Sequence, residues 1–427
     1  MKIRILIAVL LLSFTAPGIA ATRVWTGAGA TNLWSDAANW SNGVPVNGDS
    51  ILLLRHPLGF QQFAVNDLTN LAVQTLRCEA IGYRLVGGTL RLTGDVLMGG
   101  PIAGANMDIG APVEIPGPAF QVTSTNSSEL SLSGPVAAPA SAVVTVDGGL
   151  RFRAPPSSDY RAETRFRSGF GALVFTRLNG PFIVGGMPTN GASIALQSRN
   201  LFGGFPPLTI LTNGSVINIS TFQSIGALSV DGGTLRLGNR SPEGEIAVNG
   251  NARLTGGASL FVSAINLFGP GYMSVTGTVT ISGCTLAFQP GSATVTAPAV
   301  IVHNDGSDPV NGTFTGLPEG GVLTNNTVRY TVSYVGGDGN DITLSPIVEP
   351  SNLTGIARLP DGGKRLTIQG QPGFTYIVEA APSLLMPPEL TPWLPIGTNT
   401  PIGNGLFQFI DPDSTNHSMR FYRTRLR

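Results

Sequence analysis

A short phrase recurs along this chain and limits what it can become: Gly87-Gly88-Thr89-Leu90-Arg91-Leu92, then Asp147-Gly148-Gly149-Leu150-Arg151-Phe152, then Asp231-Gly232-Gly233-Thr234-Leu235-Arg236-Leu237. Each copy is a glycine turn followed by alternating apolar and polar residues. Glycine supplies the positive φ that a tight corner needs, and the alternation buries every second side chain of a strand. One coil of a β-solenoid requires both. Looser copies follow at Gly256-Gly257-Ala258-Ser259-Leu260-Phe261-Val262 and Ser282-Gly283-Cys284-Thr285-Leu286-Ala287-Phe288, each about one coil beyond the last. The steps between the first three copies are longer, roughly two or three coils. The arginines of the phrase fall on the outward side of the alternation, where solvation is the default. Copies that far apart do not build a continuous cationic ladder.

Only 12% of the residues are charged, while 56 glycines and 32 prolines raise the turn content; ordinary soluble domains are about 25% charged. Thr, Val, Ile and Ser fill the segments between glycines, and sustained helical periodicity is absent. The expected fold class is therefore all-β, a parallel β-solenoid over residues 51–345. The net charge is zero, which removes the electrostatic basis for a nucleic-acid partner.

Lys2 and Arg4 precede the apolar run Ile5 to Leu12, and Gly18-Ile19-Ala20-Ala21 supplies small residues at its end. This reads as a secretory signal over 1–21, cleaved after Ala20 or Ala21, which places the protein outside the cell or on its surface. No later run of about 18 apolar residues exists, so no transmembrane anchor is expected. The two cysteines, Cys78 and Cys284, lie too far apart to suggest a disulfide framework. Cys284 sits inside a repeat strand and reads as a small buried apolar residue.

Residues 22–50 carry Trp25-Thr26-Gly27, Trp34-Ser35 and Asn39-Trp40-Ser41, followed by Gly43-Val44-Pro45 and Gly48-Asp49. This opening resembles that of secreted bacterial proteins with autotransporter-associated β-strand repeats. The resemblance implies an exported solenoid with no assigned enzymatic activity. Two readings compete for the aromatics. The first coil of a solenoid lacks a neighbour on one side, so a cap of large rings over the open core is needed. Exposed indoles would instead stack on sugar rings. Capping leads, and Trp25, Trp34 and Trp40 are the glycan-contact candidates on the second reading.

The segment from Ile301 through Phe314 and Gly316-Leu317-Pro318-Glu319-Gly320 to Ile342 strengthens the resemblance, because solenoids of that family often close on similar wording. Within it, Gly336-Gly337-Asp338-Gly339-Asn340-Asp341-Ile342-Thr343-Leu344 is similar to the nonapeptide of calcium-binding β-rolls, except that Thr343 replaces a large apolar residue. Asp338, Asn340 and Asp341 are thus candidate calcium ligands. One copy does not fill a shell of six to eight oxygens, and a hairpin turn between Tyr330–Tyr334 and Ile342–Leu344 explains the segment equally well. No other cofactor is indicated.

Residues 346–351, with two prolines, read as a linker. Beyond it, 352–427 alternate cleanly at Arg365–Ile368, Thr375–Ala380 and Leu406–Ile410, as in a small β-sandwich. Gly373-Phe374-Thr375-Tyr376, Trp393, Asp411-Pro412-Asp413 and Arg420-Phe421-Tyr422-Arg423 resemble the C-terminal domain of verrucomicrobial secreted proteins. The resemblance implies a generic role in export, retention or spacing.

Chemistry is sparse. There are three histidines, His56, His303 and His417, and no metalloprotease, serine-hydrolase or phosphate-loop motif. Glu243 and Glu245 are the nearest to a carboxylate pair, but Pro242 and Gly244 place them in a solvated turn. The chain is expected to be a non-catalytic structural or adhesive solenoid, with extracellular polysaccharide or cell-envelope components as partners. The alternative is a β-helical polysaccharide lyase or glycoside hydrolase. A groove gathering carboxylates, or carboxylates with arginine, would distinguish it.

Overall fold

The computed structural model describes residues 20–54, 62–101, 103–174, 177–198, 200–218, 222–238, 245–265, 269–270, 272–292, 296–326, 328–385, 387 and 390–427. The described chain is all-β, with two single-turn 3₁₀ segments and no α-helix. Most of the signal segment lies outside these residues.

From Ser50 to Phe288 the backbone winds as a parallel β-solenoid. On one face, Thr22–Trp25 pairs with Ser50–Leu53, which pairs with Thr75–Cys78, and the ladder continues in parallel to Val279–Ile281. A second face runs from Gln62–Asn66 through Tyr83–Gly87, Asn106–Ile109, Glu129–Leu132 and Gly149–Phe152 to Thr285–Phe288. Shorter strands such as Leu71–Val73, Leu90–Leu92 and Val113–Glu114 form the third face.

The period-2 alternation determines the interior. Leu76, Leu85, Leu130, Val216, Leu235 and Leu260 are among the inward residues of successive coils, and all are fully buried. Stacked coils let each inward side chain rest on its counterparts above and below, about 4.8 Å away. The corner between the first two faces shows why the recurring phrase begins with glycine. Gly148 has φ +125°, and a Cβ there would lie 2.2 Å from the Ser124 carbonyl oxygen of the coil beneath. Gly169, one coil on, has φ +85° and a Cβ position 2.7 Å from the Gly148 backbone. Coils stack here only because neither residue carries a side chain.

The solenoid is closed at both ends. At the start, Trp25 and Trp34 each meet Trp40 edge-on, at centroid distances of 5.0 and 5.5 Å. Trp40 donates its indole N–H to the Trp34 carbonyl at 2.8 Å. At the finish, Ala299–Asn304 pairs antiparallel with Asp341–Ile347, which forms a hairpin with Val328–Gly336. Switching from parallel to antiparallel pairing covers an edge that another chain would otherwise extend.

The C-terminal unit is a sandwich of two three-stranded antiparallel sheets. Lys364–Gln369 lies between Asn352–Arg358 and Leu406–Asp411, and Tyr376–Ala381 lies between Leu394–Asn399 and Phe421–Leu426. Leu366, Ile368, Tyr376 and Val378 fill its interior. Gly397 in one sheet leaves room for the Phe409 ring of the other, which a Cβ would meet at 2.3 Å. Pro346 and Ile347 of the linker pair with Tyr330 and Arg329. Glu349 is held to the sandwich by Gln371 and by the Tyr376 hydroxyl.

Candidate functional site

The second face carries the site. Its strands repeat a triplet of apolar, outward and apolar residues: Tyr83-Arg84-Leu85, Met107-Asp108-Ile109, Leu130-Ser131-Leu132 and Leu150-Arg151-Phe152. Parallel pairing puts the central residues in one column, with Arg84 opposite Asp108, Asp108 opposite Ser131, and Ser131 opposite Arg151. Beside it runs a second column, in which Asn106, Glu129 and Gly149 align. Long side chains at either end and short ones between them leave a hollow. Arg84 and Arg151 stand three coils apart, roughly 14 Å at the spacing of parallel strands. Between them opens a cleft of about 340 Å³ lined by Arg84, Asn106, Asp108, Glu129, Ser131 and Arg151, with Arg153 at its edge. That volume lies within the range of small-ligand sites.

Charges within the cleft are partly matched. Arg84 Nε stands 3.7 Å from Asp108 Oδ2, and Arg151 Nη2 is 3.2 Å from Glu129 Oε2. All four side chains are about a third or more exposed, so each pair contributes about 0–1 kcal/mol and yields readily to a competing ligand. Below them, three polar atoms of consecutive coils are buried without a partner: Asp108 Oδ1, Ser131 Oγ and Arg151 Nε. In order along the column these are an acceptor, a group that both donates and accepts, and a donor. Each unpaired buried group costs about 1–3 kcal/mol, and a ligand that pushes aside the side chains covering these three atoms would satisfy them. The Tyr83 phenol is no base for this cleft, since burial, with a smaller contribution from Cys78, pushes its pKa up.

This cluster is not legible in the linear sequence, because its members come from separate coils, roughly 20–24 residues apart. The triplets aligned at that period are the signal that would have found it. The three arginines of the recurring phrase also meet different fates. Arg91 lies on the third face, opposite Ala72 and Glu114. Arg151 enters the cleft, and Arg236 stacks over the Phe261 ring at 4.2 Å. Arg151 and Arg236 share one column four coils apart, not two or three, because the coils between them are short.

Among the residues singled out in the sequence, Trp25, Trp34 and Trp40 are brought together, and all three are buried. Their rings face one another and the first coil, so none presents a free face to a sugar. The Asp338, Asn340 and Asp341 segment forms the hairpin turn. Asn340 donates to the carbonyls of Gly306 and Asp308 at 2.6 and 3.0 Å, and Asp341 Oδ1 accepts the Asn304 N–H at 2.9 Å. Asp338 is exposed. No group of three or more His, Cys, Asp or Glu residues is arranged to hold a metal among the described residues.

Glu245 accepts from the Tyr272 hydroxyl at 2.9 Å and from Ser274 at 2.7 Å, while Glu243 lies outside the described residues. Cys78 and Cys284 are free and buried. Burial pushes their thiols up, to about 11 and about 12. No helix among the described residues is long and apolar enough to cross a membrane.

Comparison with protein-family models, with curated proteins and with solved structures finds no match for this chain.

Proposed function

We propose that this chain is an exported structural or adhesive solenoid that grips a segment of extracellular polysaccharide in the cleft on its second face. The observation that carries the reading is the column of unpartnered atoms, Asp108 Oδ1, Ser131 Oγ and Arg151 Nε. A row that accepts, does both, and donates suits hydroxyl groups, because every hydroxyl does both. A simple anion would use only the donors. The two arginine–carboxylate pairs neutralise one another and leave Arg153 as a single excess positive charge, which fits a polyhydroxyl ligand of low charge better than a strongly charged one. Export is supported by the basic and apolar N-terminal run and by the resemblance of the tryptophan opening to autotransporter-associated repeats. The buried tryptophans serve as a cap, and the glycan contact moves from them to the cleft.

The test is binding of the purified mature chain to a panel of neutral and acidic glycans. Ser131→Trp fills the cleft from an outward position without touching the core. It is expected to weaken binding at least tenfold while leaving the circular dichroism spectrum unchanged. Retention of no glycan, or equal binding by Ser131→Trp, refutes the reading.

A second reading rests on Asp108 and Glu129 meeting arginines in one cleft, the arrangement that a polysaccharide lyase or glycoside hydrolase requires. Release of reducing ends or unsaturated sugars from a bound glycan, abolished by Glu129→Gln and Asp108→Asn, would establish it.

A further inference from the structure

At the start of the solenoid, the Asp49 carboxylate is nearly inaccessible, with 2% of the residue exposed. It accepts three hydrogen bonds: from the Ala21 backbone N–H at 2.9 Å, the Val46 N–H at 3.0 Å and Arg23 Nε at 2.6 Å. Ala21 is the first described residue held at both ends of its peptide unit, since its carbonyl also accepts the Ser50 N–H at 2.9 Å. Ala20, one residue earlier, is exposed. Ala21 is thus the first of the described residues that the solenoid holds through its backbone.

We propose that Ala21 is the mature N-terminus and that its α-ammonium group forms an ion pair with Asp49 that locks the first coil. The step is hydrolysis of the Ala20–Ala21 peptide bond by an export signal peptidase. Water's hydroxyl joins the Ala20 carbonyl carbon, its proton joins the Ala21 nitrogen, and the free amine takes one more proton from solvent at neutral pH. One neutral N–H is thereby replaced by an ammonium with three donors and a positive charge, already 2.9 Å from a buried carboxylate. Such charge-assisted bonds are about twice as strong as neutral ones.

The geometry also decides between the two cleavage positions. Cutting after Ala20 puts Gly18 and Ala20 three and one residues before the bond, both small as a peptidase requires. Cutting after Ala21 would put bulky Ile19 at the first of these positions, and would discard both bonds of Ala21 to Asp49 and Ser50. Arg23 is the other charge on this carboxylate, and two cations share its two oxygens without displacing each other: Ala21 bonds Oδ1 and Arg23 bonds Oδ2. Processing at this bond therefore completes the fold.

The inference rests on the export part of the proposed function, and the experiment separates the two. The full chain is expressed in a bacterium that exports it, and the recovered protein is sequenced from its N-terminus. Ala21 as the first residue is expected. A chain that keeps Met1 overturns the export reading, whereas an exported chain beginning at Thr22 or elsewhere overturns only the ion pair.

Stability is then compared for the chain beginning at Ala21 and for the same chain with one added N-terminal glycine, each with Asp49 and with Asp49→Asn. The added residue is expected to lower the unfolding midpoint by several degrees with Asp49 present and to change it little in Asp49→Asn. An added glycine without effect in the Asp49 background overturns the proposal. If Asp49→Asn does not fold, α-amino acetylation of the chain beginning at Ala21 supplies the same comparison: it must lower the midpoint, and no change overturns the proposal.

Discussion

Leu235→Ala tests the stacked interior directly. Leu235 is fully buried between Val216 of the coil before and Leu260 of the coil after, both also fully buried. The substitution removes about 2–2.5 kcal/mol of apolar transfer free energy at about 0.8 kcal/mol per methylene. A cavity adds about 24 cal/mol per Å³ left open. Backbone hydrogen bonds on both sides hold the neighbouring coils at their spacing, so the gap cannot close. The expected cost lies in the upper part of the known range, about 3–5 kcal/mol.

Leu286→Ala is the matched control. Its strand, Thr285–Phe288, pairs with another strand on one side only, so relaxation is easier and the cost falls to about 2–3 kcal/mol. Hydrogen exchange read by mass spectrometry gives the opening free energy of each coil. Amides in 208–262 are expected to lose roughly two to three and a half orders of magnitude of protection in Leu235→Ala, at about 1.4 kcal/mol per tenfold. A loss under tenfold, or equal losses in the two variants, refutes a core built from side chains stacked between coils.

The remaining predictions concern charge, thiols and metal. Burial would raise the Glu379 carboxyl, but the bonds from Arg425 and Arg423 outweigh it and hold its pKa below the ordinary value. Burial likewise opposes the backbone N–H groups of Ala21 and Val46 and the Arg23 side chain at Asp49, and there too the pKa ends lowered. A lowered folded-state pKa stabilises fully above the unfolded value and is lost as pH falls through the folded one. Unfolding midpoints should therefore drop below about pH 4, less steeply in Glu379→Gln; a flat profile down to pH 2 contradicts this. Cys78 and Cys284 should resist iodoacetamide at pH 8 until the chain is unfolded, because burial raises both thiols; mass spectrometry of the native protein reads the outcome. Chelator should leave the unfolding midpoint unchanged, since among the described residues no group of three or more His, Cys, Asp or Glu side chains is arranged to hold a metal ion. A midpoint that rises with added calcium would restore Asp338, Asn340 and Asp341 as ligands.

Local rules make the solenoid legible in the sequence alone. A turn needing positive φ and a strand burying alternate residues are both decided within a few neighbouring residues, so the glycine phrase and the alternation announce them wherever they occur. The same holds for the clean alternation of the C-terminal strands. What local rules do not contain is the length of each coil, and coil length decides which outward residues come to share a column. Arg91 and Arg151 sit in nearly the same words. Yet Gly87 ends the strand Tyr83–Gly87 on the second face, which sends Arg91 to the third, while Gly148 turns the corner ahead of Gly149–Phe152, which delivers Arg151 to the cleft. The wound β architecture can be read from the residues alone, because backbone conformation and burial period are short-range properties. The meeting of Asp108, Glu129, Ser131 and Arg151 cannot, because their register is set by backbone pairing between coils.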